Sequence, residues 1–251
     1  MKNTSRDWYD HLSAMSTERD LKFFMARVAD QADRHADVID YIKQIIEIDA
    51  DLTADERNLL SVAYKALTGN RRTALRSVNA FLDDPQIHGT AERENRLKEL
   101  RETLLKELDD YCNQIVALVD EKLIGAAKDT VTKVFYEKLK ADYYRYSVEF
   151  KTDADREDGA QKAKASYEKA MELASELSKA NPQFLGLALN YSVFLYEIIG
   201  QKQEAITLAD KSFREAVNHI DKLDEDEYSE ATLILQLLKD NVQLWTEDQN
   251  E

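Results

Sequence analysis

Three observations predict an all-α fold. The chain of 251 residues has only two prolines and six glycines, too few for a turn-rich sheet protein. Charged residues make up 33% and hydrophobic residues 43% of it, the balance of long helices that bury one stripe and solvate the rest. Apolar residues also recur at three and four positions: Leu97, Leu100, Leu104, Leu108, Tyr111, Ile115 and Leu118 make one continuous seam. A core of this size needs no covalent staple. The single cysteine, Cys112, has no internal partner, which fits a reducing intracellular compartment.

About nine helices follow in order from the apolar period and the turn residues. Residues 1–19 read as an N-terminal extension, in which Trp8, Tyr9, Leu12 and Met15 either form an extra helix or lie in a disordered lead. The first helix covers Asp20 to Ala32 and the second runs from near Ala36 to Ile48. Thr53 and Glu56 have the spacing of a capping box, so a long third helix starts there and stops before Asp83-Asp84-Pro85. The seam of Leu97 to Leu118 places a fourth helix over about 91–123, antiparallel to the third, until Gly125 interrupts it. A fifth helix spans about 130–151, and Thr152 to Gly159 reads as a polar loop. Four shorter helices follow near 160–180, 183–199, 203–222 and 226–246, separated by Asn181-Pro182, Gly200 and the acidic run Asp224 to Glu227. Asn190, Tyr191, Leu195, Gly200, Ala205, Ala209 and Phe213 fall in a pattern like that of tetratricopeptide helix pairs. The expected architecture is therefore a curved, tetratricopeptide-like array of antiparallel helices whose concave side is a peptide-binding groove.

Composition excludes several function classes. No stretch approaches the roughly 20 apolar residues of a membrane span, and residues 1–7 lack the apolar core of a secretory signal. A formal net charge of -15 repels nucleic-acid backbones and anionic lipid, so neither nucleic acid nor membrane is an expected partner. Di-metal helical bundles need Glu-x-x-His pairs, but Trp8, Ala32, Pro85 and Ala216 stand three residues before the four histidines. Neither a Gly-x-Ser-x-Gly elbow nor a phosphate-binding glycine loop occurs. The reading is of a protein that is not an enzyme and uses no metal or cofactor.

Against that acidic background, Lys65, Arg72 and Arg76 share one helical stripe at spacings of seven and four residues. Like charges so placed repel, and an anion would relieve them. Asp142-Tyr143-Tyr144-Arg145-Tyr146 adds a guanidinium and a phenol, with a carboxylate one turn back to orient the arginine. By spacing alone a solvated charged face is the favoured explanation of such a stripe, since 34 lysines and arginines in a helical protein produce such triplets by chance. The runs Arg57 to Lys65 (RNLLSVAYK) and Ala231 to Asn241 (ATLILQLLKDN) closely resemble the two signature stretches of the 14-3-3 family of dimeric phosphopeptide-binding adaptors.

The resemblance extends over roughly residues 20–247, which reads as a single 14-3-3-like domain followed by a short acidic tail at 248–251. It implies that Lys65, Arg72, Arg145 and Tyr146 hold a phosphate, with Arg76 as a supporting cation and Asp142 orienting. Phosphoserine suits such a set, since it carries about -1.5 to -2 charge and three acceptor oxygens. Asn190 and Asn241 match the asparagines that bond the main chain of the bound peptide. Leu189, Val193, Leu233, Ile234, Leu237 and Trp245 match an apolar groove wall, with Glu197 and Lys138 at its polar margin. Val28, Ala32 and Arg34 match dimer-interface positions, and Glu107 matches the carboxylate that pairs with that arginine across the dimer. Asp37 would face Thr103, where the family has lysine, and Leu100 replaces a tyrosine. Exposed ion pairs contribute only about 0–1 kcal/mol each, so apolar contacts would carry the association. Ala66, Ala74 and Leu75 also depart from the family pattern, Ala74 removing a phosphorylatable serine linked to monomerisation. The expected function is a cytoplasmic adaptor, with access to the nucleus. It would clamp or mask phosphoserine or phosphothreonine clients as a homodimer, with heterodimers as a further pairing. The alternative is a tetratricopeptide-like scaffold that reads acidic peptides without regard to phosphorylation.

Overall fold

The structure, a computed structural model, describes residues 17–85 and 91–249. The proposed extra helix at Trp8 to Met15 and the last two residues of the acidic tail lie outside the described residues. Among those described there are nine principal helices and no strand, so the fold is all-α. Packing divides the chain into two compact units, one ending at Arg71 and the other beginning at Arg72.

In the first unit α1 (Glu18–Gln31) and α2 (His35–Ile48) pack on each other. Ala26 and Ala29 on α1 are buried, as are Val38, Ile39, Ile42, Ile45 and Ile46 on α2. The helix α1 starts two residues before the expected Asp20, because Thr17 and Asp20 form a capping box that the sequence reading missed. Thr17 N donates to Asp20 Oδ2 at 2.9 Å and Asp20 N donates to Thr17 Oγ1 at 3.1 Å. The expected box at the start of α3 (Ala54–Leu82) is present. Thr53 N donates to Glu56 Oε2 at 2.8 Å and Glu56 N to Thr53 Oγ1 at 3.3 Å. Glu56 is itself buried and takes both Nε (2.9 Å) and an Nη (2.6 Å) of Arg19, tying the start of α1 to the start of α3. Burial alone would raise the Glu56 pKa; the hydrogen bonds from Arg19 and Thr53 overcome it and hold the carboxyl below its ordinary value.

The second unit holds the remainder of α3 and the six following helices. They are α4 (Ala91–Leu118), α5 (Thr130–Val148), α6 (Asp153–Leu173), α7 (Pro182–Phe194), α8 (Lys202–Val217) and α9 (Glu225–Asp248). The starts of α5, α7 and α9 carry side-chain caps: Asp129 Oδ1 accepts from Thr132 N at 2.7 Å, Asn181 Oδ1 from Gln183 N at 3.0 Å, and Asp224 Oδ1 from Glu227 N at 2.8 Å. Pro182 occupies the first turn of α7, where its missing N–H costs nothing. Gly200 ends the run after α7 with φ 77, a left-handed turn suited to glycine.

Several boundaries differ from the sequence reading. Thr152 to Gly159 is not a loop: α6 begins at Asp153, where Asp153 and Asp155 complement the positive end of the helix dipole. Gly125 does not break the chain of turns. A π-helical segment at Val119–Leu123 leads into the short helical turn Ile124–Ala126. A second π-helical segment, Leu195–Ile199, ends α7, and short 3₁₀ turns at Ala174–Glu176 and Ile220–Lys222 replace the expected ends of α6 and α8. Apolar periodicity persists through such turns, so it does not reveal where the hydrogen-bond register changes.

The second core is built from α5 to α9 around Tyr167, Phe184, Leu187, Tyr191, Phe194, Leu235 and Leu238. Buried alanines such as Ala141, Ala163, Ala170, Ala205 and Ala209 let the helix backbones approach. Gly159 also allows a close approach: a Cβ there would lie 2.3 Å from Cγ1 of the buried Val148. Gly159→Ala is therefore expected to destabilise the protein by about 1–3 kcal/mol through overpacking, although alanine favours helix by roughly 1 kcal/mol. Gly125→Ala, whose added Cβ meets nothing within 4 Å, is expected to be neutral or stabilising by up to about 1 kcal/mol. Urea denaturation of both variants beside the parent chain checks the contrast; equal stability of the two would refute it.

Candidate functional site

Helix α5 places Lys138, Asp142 and Arg145 at intervals of four and three, and Glu149, the C-cap residue with helical backbone angles, follows four positions later, so all four project along one stripe. Asp142 is the centre of this stripe. Its Oδ2 accepts from Lys138 Nζ at 3.0 Å, and its two oxygens accept from Asn190 Nδ2 of α7 at 3.0 and 2.8 Å. Its Oδ1 also accepts from the Tyr167 hydroxyl of α6 at 2.5 Å and lies 3.6 Å from an Nη of Arg145. The Arg145 Nε in turn donates to the Tyr167 oxygen at 3.2 Å. Asp142 and Arg145 are both buried. Burial alone would raise the Asp142 pKa, but Lys138, Arg145 and Tyr167 reverse that and hold it below the ordinary carboxylate value. Arg145 stays charged: burial opposes its proton, and Tyr167 and Asp142 more than compensate.

Tyr146 links this stripe to the end of α3 that belongs to the same unit. The guanidinium carbon of Arg72 lies 4.1 Å from its ring centroid and that of Arg145 lies 4.8 Å from it. The two guanidinium groups thus converge on one ring. Burial raises the Tyr146 pKa and Asp142 adds to it, against the pull of Arg145 and Arg72, so the phenol remains a neutral donor at ordinary pH. Glu149 holds the other cations: it accepts from Arg72 Nε at 2.5 Å, and from Arg76 Nε at 3.1 Å and Nη2 at 2.5 Å. Both arginines are gripped by the Nε edge, and the Arg76 side chain remains 57% exposed. The arrangement presents several cationic donors over a small area, which is what a tetrahedral anion requires.

Beside these cations lies an apolar surface. A Cβ on Gly186 of α7 would be 3.7 Å from Lys138 Cε and 4.0 Å from Ile234 Cδ1, so α5, α7 and α9 converge at this glycine. Leu189, Val193 and Ile234 are partly buried against the core, while Leu233 (65%) and Leu237 (45%) are exposed. Asn241 is half-buried on α9 and Glu197 is exposed in the π-helical segment after α7. Trp245 is buried and stacks on Tyr196 at 4.5 Å, so its ring points inward. Lys65 is exposed on α3.

The positions expected at a dimer surface fall as follows. Val28, Ala32 and Arg34 are exposed, and Arg34 Nε donates to Asp37 Oδ2 of the next turn at 2.5 Å. Val28 lines a cavity of about 620 Å³ with Phe23, Phe24, Arg27 and Leu59. On α4, Leu100 is exposed and Glu107 is half-buried. Cys112 is buried, and burial with the nearby Asp109 pushes its thiol up to about 12, which removes it as a nucleophile.

Sequence reasoning missed Glu149, Tyr167 and Gly186. Glu149 carried a signal, being in phase with Asp142 and Arg145. Tyr167 carried none, because a tyrosine in an apolar stripe reads as core and lies 25 residues from the carboxylate it meets.

The family described as "14-3-3 protein" matches residues 25–246. The chain is 41% identical over 239 residues to "14-3-3-like protein RA215" of Solanum tuberosum, covering 94% of each. It is 41% identical over 238 residues to "14-3-3-like protein GF14 omicron" of Arabidopsis thaliana, again over 94% of each. With "14-3-3 protein 8" of Solanum lycopersicum the identity is 42% over 236 residues, covering 94% of this chain and 90% of that protein.

Proposed function

The chain belongs to the 14-3-3 family, and from that premise we propose that it binds phosphoserine or phosphothreonine segments of client proteins in an extended conformation. Family membership supports a phosphopeptide-binding adaptor role in general; 14-3-3 proteins are adaptors, not enzymes. The observation that carries the proposal for this chain is the convergence of Arg72 and Arg145 on the Tyr146 ring, with Asp142 fixing Arg145 and Asn190 together. Arg72, Arg145 and Tyr146 supply the phosphate donors, Arg76 supports them, and Lys65 joins them by the family match. Each charge-assisted hydrogen bond contributes roughly 1.5–3 kcal/mol net. Asn190 and Asn241 hold the peptide main chain, since a side-chain amide both donates and accepts. Leu189, Val193, Leu233, Ile234 and Leu237 take the apolar residues of the client, with Lys138 and Glu197 at the margin.

The unit of action is a dimer, formed through the surface of Val28, Ala32, Arg34 and the α4 positions Leu100 and Glu107, within a single 14-3-3-like domain over residues 20–247. Homodimers are the main form, and heterodimers use the same surface. Two sites per dimer raise avidity by about 10²–10⁴ for doubly phosphorylated clients when the geometry permits. The place of action is the cytoplasm, with access to the nucleus. No described helix is long and apolar enough to cross a membrane.

Calorimetric titration with one peptide in phosphorylated and unphosphorylated form tests the reading. Only the phosphorylated form is expected to bind at micromolar concentration. Equal affinity for both would discard phosphate recognition in favour of a scaffold for acidic peptides. Sedimentation at low micromolar concentration, with and without the phosphopeptide, reports the dimer in the same samples.

A further inference from the structure

Tyr167 lies outside the set of side chains expected to meet a phosphopeptide, and it is fully buried. Its ring belongs to the core: it stacks on Tyr191 at 5.2 Å and lies 5.2 Å from Phe194. Its hydroxyl does something different. It donates to Asp142 Oδ1 at 2.5 Å and accepts from Arg145 Nε at 3.2 Å, so one oxygen closes a triangle with the carboxylate and the guanidinium.

That triangle constrains Arg145 in a way the carboxylate alone does not. Asp142 is heavily subscribed, accepting from Lys138 and twice from Asn190 as well as from Tyr167. Its distance to the Arg145 Nη is 3.6 Å, an ion pair beyond hydrogen-bond reach. Among the described residues, the hydrogen bond that holds the Arg145 fork is the one to Tyr167. A guanidinium is planar, so anchoring Nε while an Nη leans toward Asp142 sets the plane of the whole fork. The Tyr146 face then bounds it on one side, 4.8 Å from the guanidinium carbon.

We propose that Tyr167 is a positioning residue of the phosphate site, aiming the Arg145 fork through its hydroxyl without touching the ligand. The phenol is held protonated by burial and by the adjacent Asp142 charge, so it keeps its donor bond to the carboxylate while its oxygen lone pair serves Arg145. The carboxylate that this hydroxyl meets also anchors Asn190, so Asp142 couples the fork to the main-chain amide. Phosphate recognition and main-chain recognition are therefore linked through a residue in the core. The proposal rests on the phosphopeptide reading above, and its test separates the two.

Tyr167→Phe retains the stacked ring and deletes only the hydroxyl. Titration of a singly phosphorylated peptide is expected to show a dissociation constant raised about tenfold, the scale of one hydrogen bond to a charged group. Tyr191→Phe is the control, since its ring stacks in the same cluster away from the Asp142–Arg145 triangle, and it should leave the constant within about twofold. A parent protein that binds phosphorylated and unphosphorylated peptide alike defeats the functional reading itself. A parent that discriminates, with a folded Tyr167→Phe of unchanged affinity, overturns the role of Tyr167 alone. Should Tyr167→Phe not fold, the Nε–H resonance of Arg145 in the parent protein decides: a slowly exchanging signal before peptide is added supports the anchor, and a signal exchanging at the rate of an exposed arginine overturns it.

Discussion

Asp142→Ala is expected to lose phosphopeptide affinity by at least roughly 100-fold and to destabilise the second unit by about 3–5 kcal/mol. The first effect follows from its partners: Lys138, Arg145, Tyr167 and Asn190 all meet this one carboxylate. Without it the Arg145 fork and the Asn190 amide lose a common anchor. The second follows from burial. Arg145 is 9% exposed, and removing its counter-charge leaves a guanidinium away from water with no carboxylate beside it. Asp142→Asn separates charge from shape, since the amide still accepts at one oxygen. The carboxyl has a folded-state pKa below its ordinary 3.8, so the unfolded chain takes up its proton first as pH falls. Its stabilising contribution is fully present above about pH 4 to 5 and is lost as pH drops through the lowered folded value. Thermal melts from pH 7 down to pH 3 should therefore show a smaller acid-induced loss in Asp142→Asn than in the parent. An equal loss in both would place the acid sensitivity elsewhere.

Lys65→Glu is expected to abolish measurable phosphopeptide binding while helicity and melting temperature stay unchanged. Lys65 is exposed, and surface substitutions of this kind usually alter stability by no more than about 0.5 kcal/mol. On the proposed reading binding would suffer twice: a charge-assisted bond of roughly 1.5–3 kcal/mol would be lost, and a carboxylate would meet the dianion instead. Each 1.4 kcal/mol is about tenfold, so a drop of at least roughly 100-fold follows. Circular dichroism and titration on the same preparation check both halves. Global unfolding of the variant would show that Lys65 is structural.

Much of the fold was legible because helices are local. The apolar period and the turn residues located the nine principal helices of the described residues, and the Thr53–Glu56 capping box was read from two letters three residues apart. Errors gathered at the ends of helices. Thr152 to Gly159 looked like a loop because it is polar, yet an acidic first turn is also what a helix N-terminus favours. The capping box at Thr17 was missed because its partner is aspartate, not the glutamate or glutamine of the usual pattern.

The chain alone determined the helical class, the acidic surface and the family-matched cations, because composition, period and motif are properties of neighbouring letters. Only tertiary structure decided what holds those cations. It brought Tyr167, Asn190 and Glu149 to Asp142, Arg145, Arg72 and Arg76. It also turned Trp245 inward against Tyr196 and let α6 press Gly159 onto Val148. The physical reason is that burial and hydrogen bonding act at distances of a few ångströms between residues far apart in the chain, and such pairings leave no period for a sequence to display.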